Sequence, residues 1–143
     1  MMHSFDLRVY YEDTDLAGIV YYANYLKFIE RGRSEWVRSL GVDQTRLKAE
    51  KGLVFAVRRV AADYLRPARF DDELQVVTEC LAVTGARIEL RQEVLRRLDE
   101  LGSDQLAQER LFVALVTLVC LSDTGLASRI PPEIRAKVLS ARA

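Results

Sequence analysis

An α+β fold, with a five-stranded antiparallel sheet wrapped around one long helix, is what this 143-residue sequence predicts. Three observations carry it. Residues 24–41 place apolar side chains at helical spacing over several turns. One strand-like segment precedes them, and four more follow, joined by short turns. Turn-linked strands make an antiparallel sheet, and the long amphipathic helix has to bury its stripe against that sheet. No linker, repeat or low-complexity stretch interrupts the order, so residues 1–143 read as one domain.

The elements follow in chain order. "FDLRVYYE" (5–12) alternates Phe5, Leu7, Val9 and Tyr11 against Asp6, Arg8, Tyr10 and Glu12, a strand with one buried face. "DTDLAG" ends it, with Gly18 as the permissive residue. In "NYLKFIERGRSEWVRSLG" the stripe is Tyr25, Phe28, Ile29, Gly32, Trp36 and Leu40. A glycine inside a helix costs about 1 kcal/mol relative to alanine, so Gly32 marks close packing against a neighbouring backbone. Gly41 falls just past the helix end. Asp43 opens a short second helix that Gly52 stops. Strands are expected over "LVFAVRRVAADYL" (53–65), "DELQVVTECLAV" (72–83), "ARIELRQEVLRRL" (86–98) and the run ending at Leu121. Arg66–Arg69, Thr84-Gly85 and Gly102–Asp104 are the turns between them. The last strand is apolar on both faces, which suits an interior position. Pro132 belongs in the first turn of a terminal helix.

Bulk properties narrow the function. Lys+Arg and Asp+Glu each total 21, so the net charge is zero. A general nucleic-acid binder carries a basic excess instead. The start of the chain has no secretory pattern. Its longest apolar run, Leu111–Leu121, is far short of the roughly 20 residues of a membrane-spanning helix. No membrane insertion is expected. Cys80 and Cys120 sit in apolar runs and read as buried free thiols, which points to the cytoplasm. The one histidine, His3, is near the chain start. Histidine triads and His-rich zinc sites are therefore excluded, and chemistry falls to carboxylates, backbone groups, tyrosines or lysines. No metal or cofactor is called for.

The stretch "YYEDTDLAGIVYYANY" (10–25) sets two carboxylates, Asp13 and Asp15, ahead of an apolar helix entrance. A helix N-terminus offers unsatisfied N–H groups and a partial positive charge. A carbonyl under attack becomes an oxyanion, and such a donor stabilises it by about 3–4 kcal/mol in acyl transfer. A nearby carboxylate can attack the carbonyl carbon or deprotonate a water; the residues do not choose between these. Asp13 fits a bracing role for the loop that carries Asp15. Asn24 either caps the helix or orients the site, and the side chain of Tyr22 faces either a pocket or solvent. Glu30 and Arg33 read as an exposed helical pair of little energetic weight, with a buried polar role as the alternative.

"VYYEDTDLAGIVYYANYLKFIERGRSEW" resembles the signature of hotdog-fold acyl-CoA thioesterases of the 4-hydroxybenzoyl-CoA thioesterase type. It is most similar to the branch associated with the Tol-Pal system. "DYLRPARFDDEL" and "IPPEIRAKV" extend the likeness over nearly the whole chain. The resemblance implies hydrolysis of a short-chain or aromatic acyl-CoA to free acid and coenzyme A. It implies that Asp15, three residues before Gly18, is catalytic, and that the Tyr22 N–H polarises the thioester carbonyl. Some members of the branch carry histidine where this chain has Tyr22; a backbone donor survives that change. Gly18, Ile19, Val20, Asn24 and Tyr25 would bind substrate. Arg87 is the leading candidate for a nucleotide phosphate, ahead of Arg58, Arg59, Arg66 and Arg69, because arginine forks match phosphates. The resemblance also implies a homo-oligomer, a dimer or tetramer of hotdog subunits. It leaves the carrier open between coenzyme A and acyl-carrier protein. The competing readings are a hotdog dehydratase or hydratase, and an acyl-thioester-binding scaffold without activity.

Overall fold

The computed structural model describes residues 2–98 and 107–142. In chain order the elements are β1 (His3–Arg8), a 3-10 turn (Tyr11–Asp13), α1 (Asn24–Ser39), α2 (Gln44–Lys51), β2 (Val54–Tyr64), β3 (Glu73–Val83), β4 (Arg87–Leu98), β5 (Ala107–Leu121) and α3 (Pro132–Arg142). The sheet runs β1-β3-β4-β5-β2, and every pairing is antiparallel. β5 is interior, as its two apolar faces require. The turn expected at Gly102–Asp104 lies outside the described residues.

β1 differs from expectation. It stops at Arg8, and the chain then coils into the 3-10 turn. Tyr11 therefore leaves the buried face, is 81% exposed, and stacks on Phe70 at 4.8 Å. The helix ends follow their local signals. Asp43 Oδ1 accepts the Arg46 N–H at 3.0 Å, and Gly52 adopts the left-handed conformation that ends α2.

The α1 stripe of Tyr25, Phe28, Ile29, Gly32 and Trp36 is buried against the sheet. Gly32 meets a side chain rather than a backbone: a Cβ there would lie 2.4 Å from Val76 Cγ1. Beside this contact a fully buried Gln92 completes its hydrogen bonds. Its Nε2 donates to Ile29 O and Thr78 Oγ1, both at 2.9 Å, and its Oε1 accepts from Arg33 Nη1 at 2.9 Å. Of the two readings of the Glu30–Arg33 pair, Glu30 takes the exposed one and Arg33 the buried polar one. Arg33 turns into the protein, where burial lowers its pKa and Glu30 only partly offsets this. An amide in the core recruited it, and that amide lies 59 positions away in sequence.

β2 occupies one edge of the sheet and is exposed along most of its length. Its outer row of N–H and C=O groups has no partner strand among the described residues, an arrangement that natural edges rarely leave uncovered.

Candidate active site

The site is built around the entrance to α1. Ala23 occupies the N-cap position, and no side chain caps the helix. The Asn24 N–H bonds Tyr21 O at 2.8 Å and the Leu26 N–H bonds Ala23 O at 3.1 Å. The N–H groups of Tyr22 and Ala23 have no acceptor among the described residues. An uncapped entrance of this kind presents donors and positive potential to whatever lies beyond it.

Asn24 is the first helical residue, not the cap. Its Nδ2 is buried and donates to Asp13 O at 2.9 Å. Asp13 is the brace: its Oδ2 accepts the Tyr10 N–H at 2.8 Å, and its carbonyl also accepts the Tyr21 N–H at 2.9 Å. These bonds tie the loop to the helix start.

Asp15 sits at the head of a tight hairpin between Thr14 and Val20, which form a bridge. Its carbonyl accepts the Gly18 N–H at 3.0 Å and its N–H donates to Ile19 O at 2.9 Å. Gly18 has φ +79, and nothing lies within 4 Å of a Cβ built there. Glycine is needed for the backbone conformation, not for space. The Asp15 carboxylate is exposed; Oδ1 accepts the Ala17 N–H at 2.9 Å, and Oδ2 has no partner among the described residues. One oxygen fixes the rotamer and the other is available.

Beside this hairpin lies an apolar cleft of about 310 Å³, lined by Ile19, Val20, Tyr22, Tyr25, Tyr64 and Pro67 among others. Tyr25 stacks on Phe112 at 5.1 Å and meets Tyr64 edge-on at 5.5 Å. The Tyr64 hydroxyl donates to Tyr22 O at 3.0 Å, and the Tyr25 hydroxyl accepts the Ala68 N–H at 2.9 Å. Burial raises the pKa of both phenols. They stay protonated and act as hydrogen-bonding walls rather than bases. Tyr22 is 61% exposed, yet its ring lines the cleft, so both alternatives for this side chain hold together.

Of the residues singled out from sequence, Ile19, Val20, Tyr22 and Tyr25 line this cleft, while Asp15 and Gly18 lie on the adjoining hairpin and Asn24 on the first turn of α1. The single chain does not bring Arg87 there. Arg87 begins β4 and pairs with Val119, while the cleft lies at the Val94–Phe112–Tyr64 end. Seven residues of strand separate the two, roughly 23 Å at about 3.3 Å per residue. Arg66 lines the cleft but is paired with Glu109 at 2.8 Å. Tyr64, Pro67 and Phe112 were not singled out from sequence; the "DYLRP" stretch was the signal for the first two. A larger cleft of about 510 Å³ at the α1–α2 corner is lined by Ser34, Arg38, Asp43 and Thr45, and there Asp43 serves as the N-cap of α2. Among the described residues, no cluster of three or more His, Cys, Asp or Glu is placed to hold a metal. None of their helices is long and apolar enough to cross a membrane.

A long helix inserted between the first two strands of a five-stranded antiparallel sheet, with a carboxylate turn at its open end, places the chain among the hotdog-fold hydrolases. Residues 17–103 match the thioesterase superfamily, and the chain belongs to that family. It is 35% identical over 127 residues to the acyl-CoA thioester hydrolase YbgC of Escherichia coli, covering 89% of this chain and 87% of that protein. It is 48% identical over 93 residues to the acyl-CoA thioesterase YbgC of Haemophilus influenzae, covering 65% and 68%. The crystal structure of a probable thioesterase from Bartonella henselae superimposes with a TM-score of 0.76 at 34% identity, over 92% of this chain and all of that one. The 4-hydroxybenzoyl CoA thioesterase of Pseudomonas sp. strain CBS-3 shares the fold, with a TM-score of 0.84 at 22% identity over 95% and 98% of the two chains.

Proposed function

We propose that the loop from Asp15 to Tyr22 is the hydrolytic centre of this chain. The protein is an acyl-CoA thioesterase, cleaving acyl-CoA to a free acid and coenzyme A. The observation that carries the assignment of the centre is the unclaimed Tyr22 N–H at an uncapped helix entrance, with the turn-held Asp15 carboxylate on the same loop. The thioester carbonyl oxygen accepts from that N–H, and the positive helix end favours the charge that develops on it. The free oxygen of Asp15 either attacks the carbonyl carbon or takes a proton from the attacking water. In both routes the thiolate of coenzyme A leaves; in the first, a water then hydrolyses the acyl–Asp15 anhydride to release the free acid and restore the carboxylate. The aromatic cleft takes the acyl group and keeps water away from the reacting atoms.

The reading includes an assembly. β2 is an open edge, and antiparallel pairing with the β2 of a second copy satisfies it. Such pairing sets the Val54 end of one strand beside the Tyr64 end of the other. Arg87 is level with Ala56 across Val119, so the partner copy would bring its own Arg87 row toward the cleft. This is how a phosphate role for Arg87 becomes feasible. Pairs of dimers give the tetramer. An acyl-carrier protein is the alternative thioester donor. The two unpaired thiols, Cys80 and Cys120, favour the cytoplasm.

The test is Asp15→Asn, assayed by thiol release from a panel of short-chain and aromatic acyl-CoAs. Turnover should fall about 10²–10⁴-fold, the contribution of a positioned base. Undiminished turnover removes Asp15 from the mechanism.

A further inference from the structure

The Pro67–Ala68 peptide is gripped at both ends. Its carbonyl accepts from Arg96 Nη1 at 3.0 Å, and its N–H donates to the Tyr25 hydroxyl at 2.9 Å. The next carbonyl, Ala68 O, accepts the Val20 N–H at 2.8 Å, and Arg69 forms a bridge with Ile19. Ile19 O in turn accepts the Asp15 N–H at 2.9 Å. A short series of bonds therefore runs from a guanidinium on β4 to the turn that holds Asp15, and a branch of it starts on the first turn of α1.

Arg96 is itself fixed. Its Nε and Nη2 reach Glu109 Oε2 at 3.0 and 2.5 Å, and Nη1 also reaches Asp72 Oδ2 at 2.9 Å. Asp72 Oδ2 accepts the Arg69 N–H at 2.8 Å, and Arg66 closes the network on Glu109 Oε1 at 2.8 Å. The Arg96 side chain is only 14% exposed, so water competes weakly for these bonds. Burial alone would lower its pKa, but the bonds to Glu109 and Asp72 outweigh that, and the group stays charged. Joining β2 to β3 does not require this much: Leu65, Arg66, Pro67, Arg69, Phe70 and Asp71 are all exposed, and only Ala68 of the connection is fully buried. The clamp is concentrated on the peptide immediately before the Ala68 carbonyl, which holds the Asp15 hairpin through the Val20 N–H.

We propose that Arg96 and the Tyr25 hydroxyl are positioning residues for hydrolysis. By holding the Pro67–Ala68 peptide they set the Asp15 turn at its height over the helix entrance. The proposal rests on the reading of Asp15 and the Tyr22 N–H as the reacting centre. Arg96 acts through the peptide, and a displacement of about 1 Å at a reacting group costs about 10²-fold in rate.

The experiment is a double-mutant comparison on the full chain, with steady-state kinetics on an acyl-CoA and thermal midpoints for every variant. Arg96→Met should lower kcat about 10²-fold with little change in KM. Arg96→Lys still donates to Pro67 O and should recover about 10-fold of that loss. In the Asp15→Asn background Arg96→Met should cost little more, because the group it positions is already disabled. Tyr25→Phe deletes one oxygen and should show the same non-additivity, and it carries the comparison if Arg96→Met does not fold. Equal losses in both backgrounds, or an unchanged kcat with only a lower thermal midpoint, overturn the clamp. The Asp15→Asn arm alone separates the two failures: if it keeps full turnover, the reading of the centre is wrong, whereas a dead Asp15→Asn beside a fully active Arg96→Met defeats only the clamp.

Discussion

Replacing Gly32 by alanine tests how α1, whose open end forms the proposed site, is seated on the sheet. A Cβ at Gly32 would stand 2.4 Å from Val76 Cγ1 and 2.9 Å from Val76 Cβ, whereas ordinary contact begins at 3.4 Å. The helix or the strand has to give by about 1 Å. Val76 is fully buried and β-branched, so its methyl group has no free rotamer to retreat into. Overpacking of this kind costs about 1–3 kcal/mol. The gain in helix propensity returns about 1 kcal/mol. Because two atoms of a stiff side chain are struck, the upper end applies, and the net loss should be about 2 kcal/mol. Urea unfolding followed by the fluorescence of Trp36, the one tryptophan and a buried one, reads this at fixed protein concentration. Val76→Ala makes room for the new methyl, so the double variant should lose less than the sum of the two single losses. A Gly32→Ala protein as stable as the parent, or more so, would refute the close contact.

Two smaller perturbations read other parts of the frame. Asp43→Ala removes the N-cap of α2, whose side chain bonds the Arg46 N–H, and should cost about 1 kcal/mol in the same unfolding assay; no change would mean the cap is idle. Glu109 has its carboxyl pKa held below the ordinary 4.5 by bonds from Arg66 and then Arg96. A depressed folded value means that this contribution is present above the unfolded pKa and is lost as pH falls through the folded one. Acidification from about pH 5 to pH 3 should therefore destabilise the parent more than Glu109→Gln; identical acid profiles would remove Glu109 from the linkage.

Within single elements, the sequence by itself determined a good deal. Side-chain direction along a helix or strand follows from backbone geometry alone, so the α1 stripe, the interior place of β5 and the Gly41 and Gly52 stops were legible residue by residue. So was the Asp15–Gly18 turn, because its chemistry is contained in four consecutive residues. β1 was read too long, since the alternation that marks a strand ran on into Tyr11, which the 3-10 turn then rotated outward.

Other features were decided only by the tertiary structure, and they share one cause. Arg33 found Gln92, Tyr25 found Ala68, and Arg96 found Pro67 across separations of 59, 43 and 29 residues. No local pattern encodes such partners. They depend on strand register, which aligns Tyr64, Phe112 and Val94 at one end of the sheet and leaves Arg87 at the other. A slip of one residue would reverse every facing side chain. The residues proposed for the site were readable one by one, while the bonds that hold them in place exist only once the strands have paired.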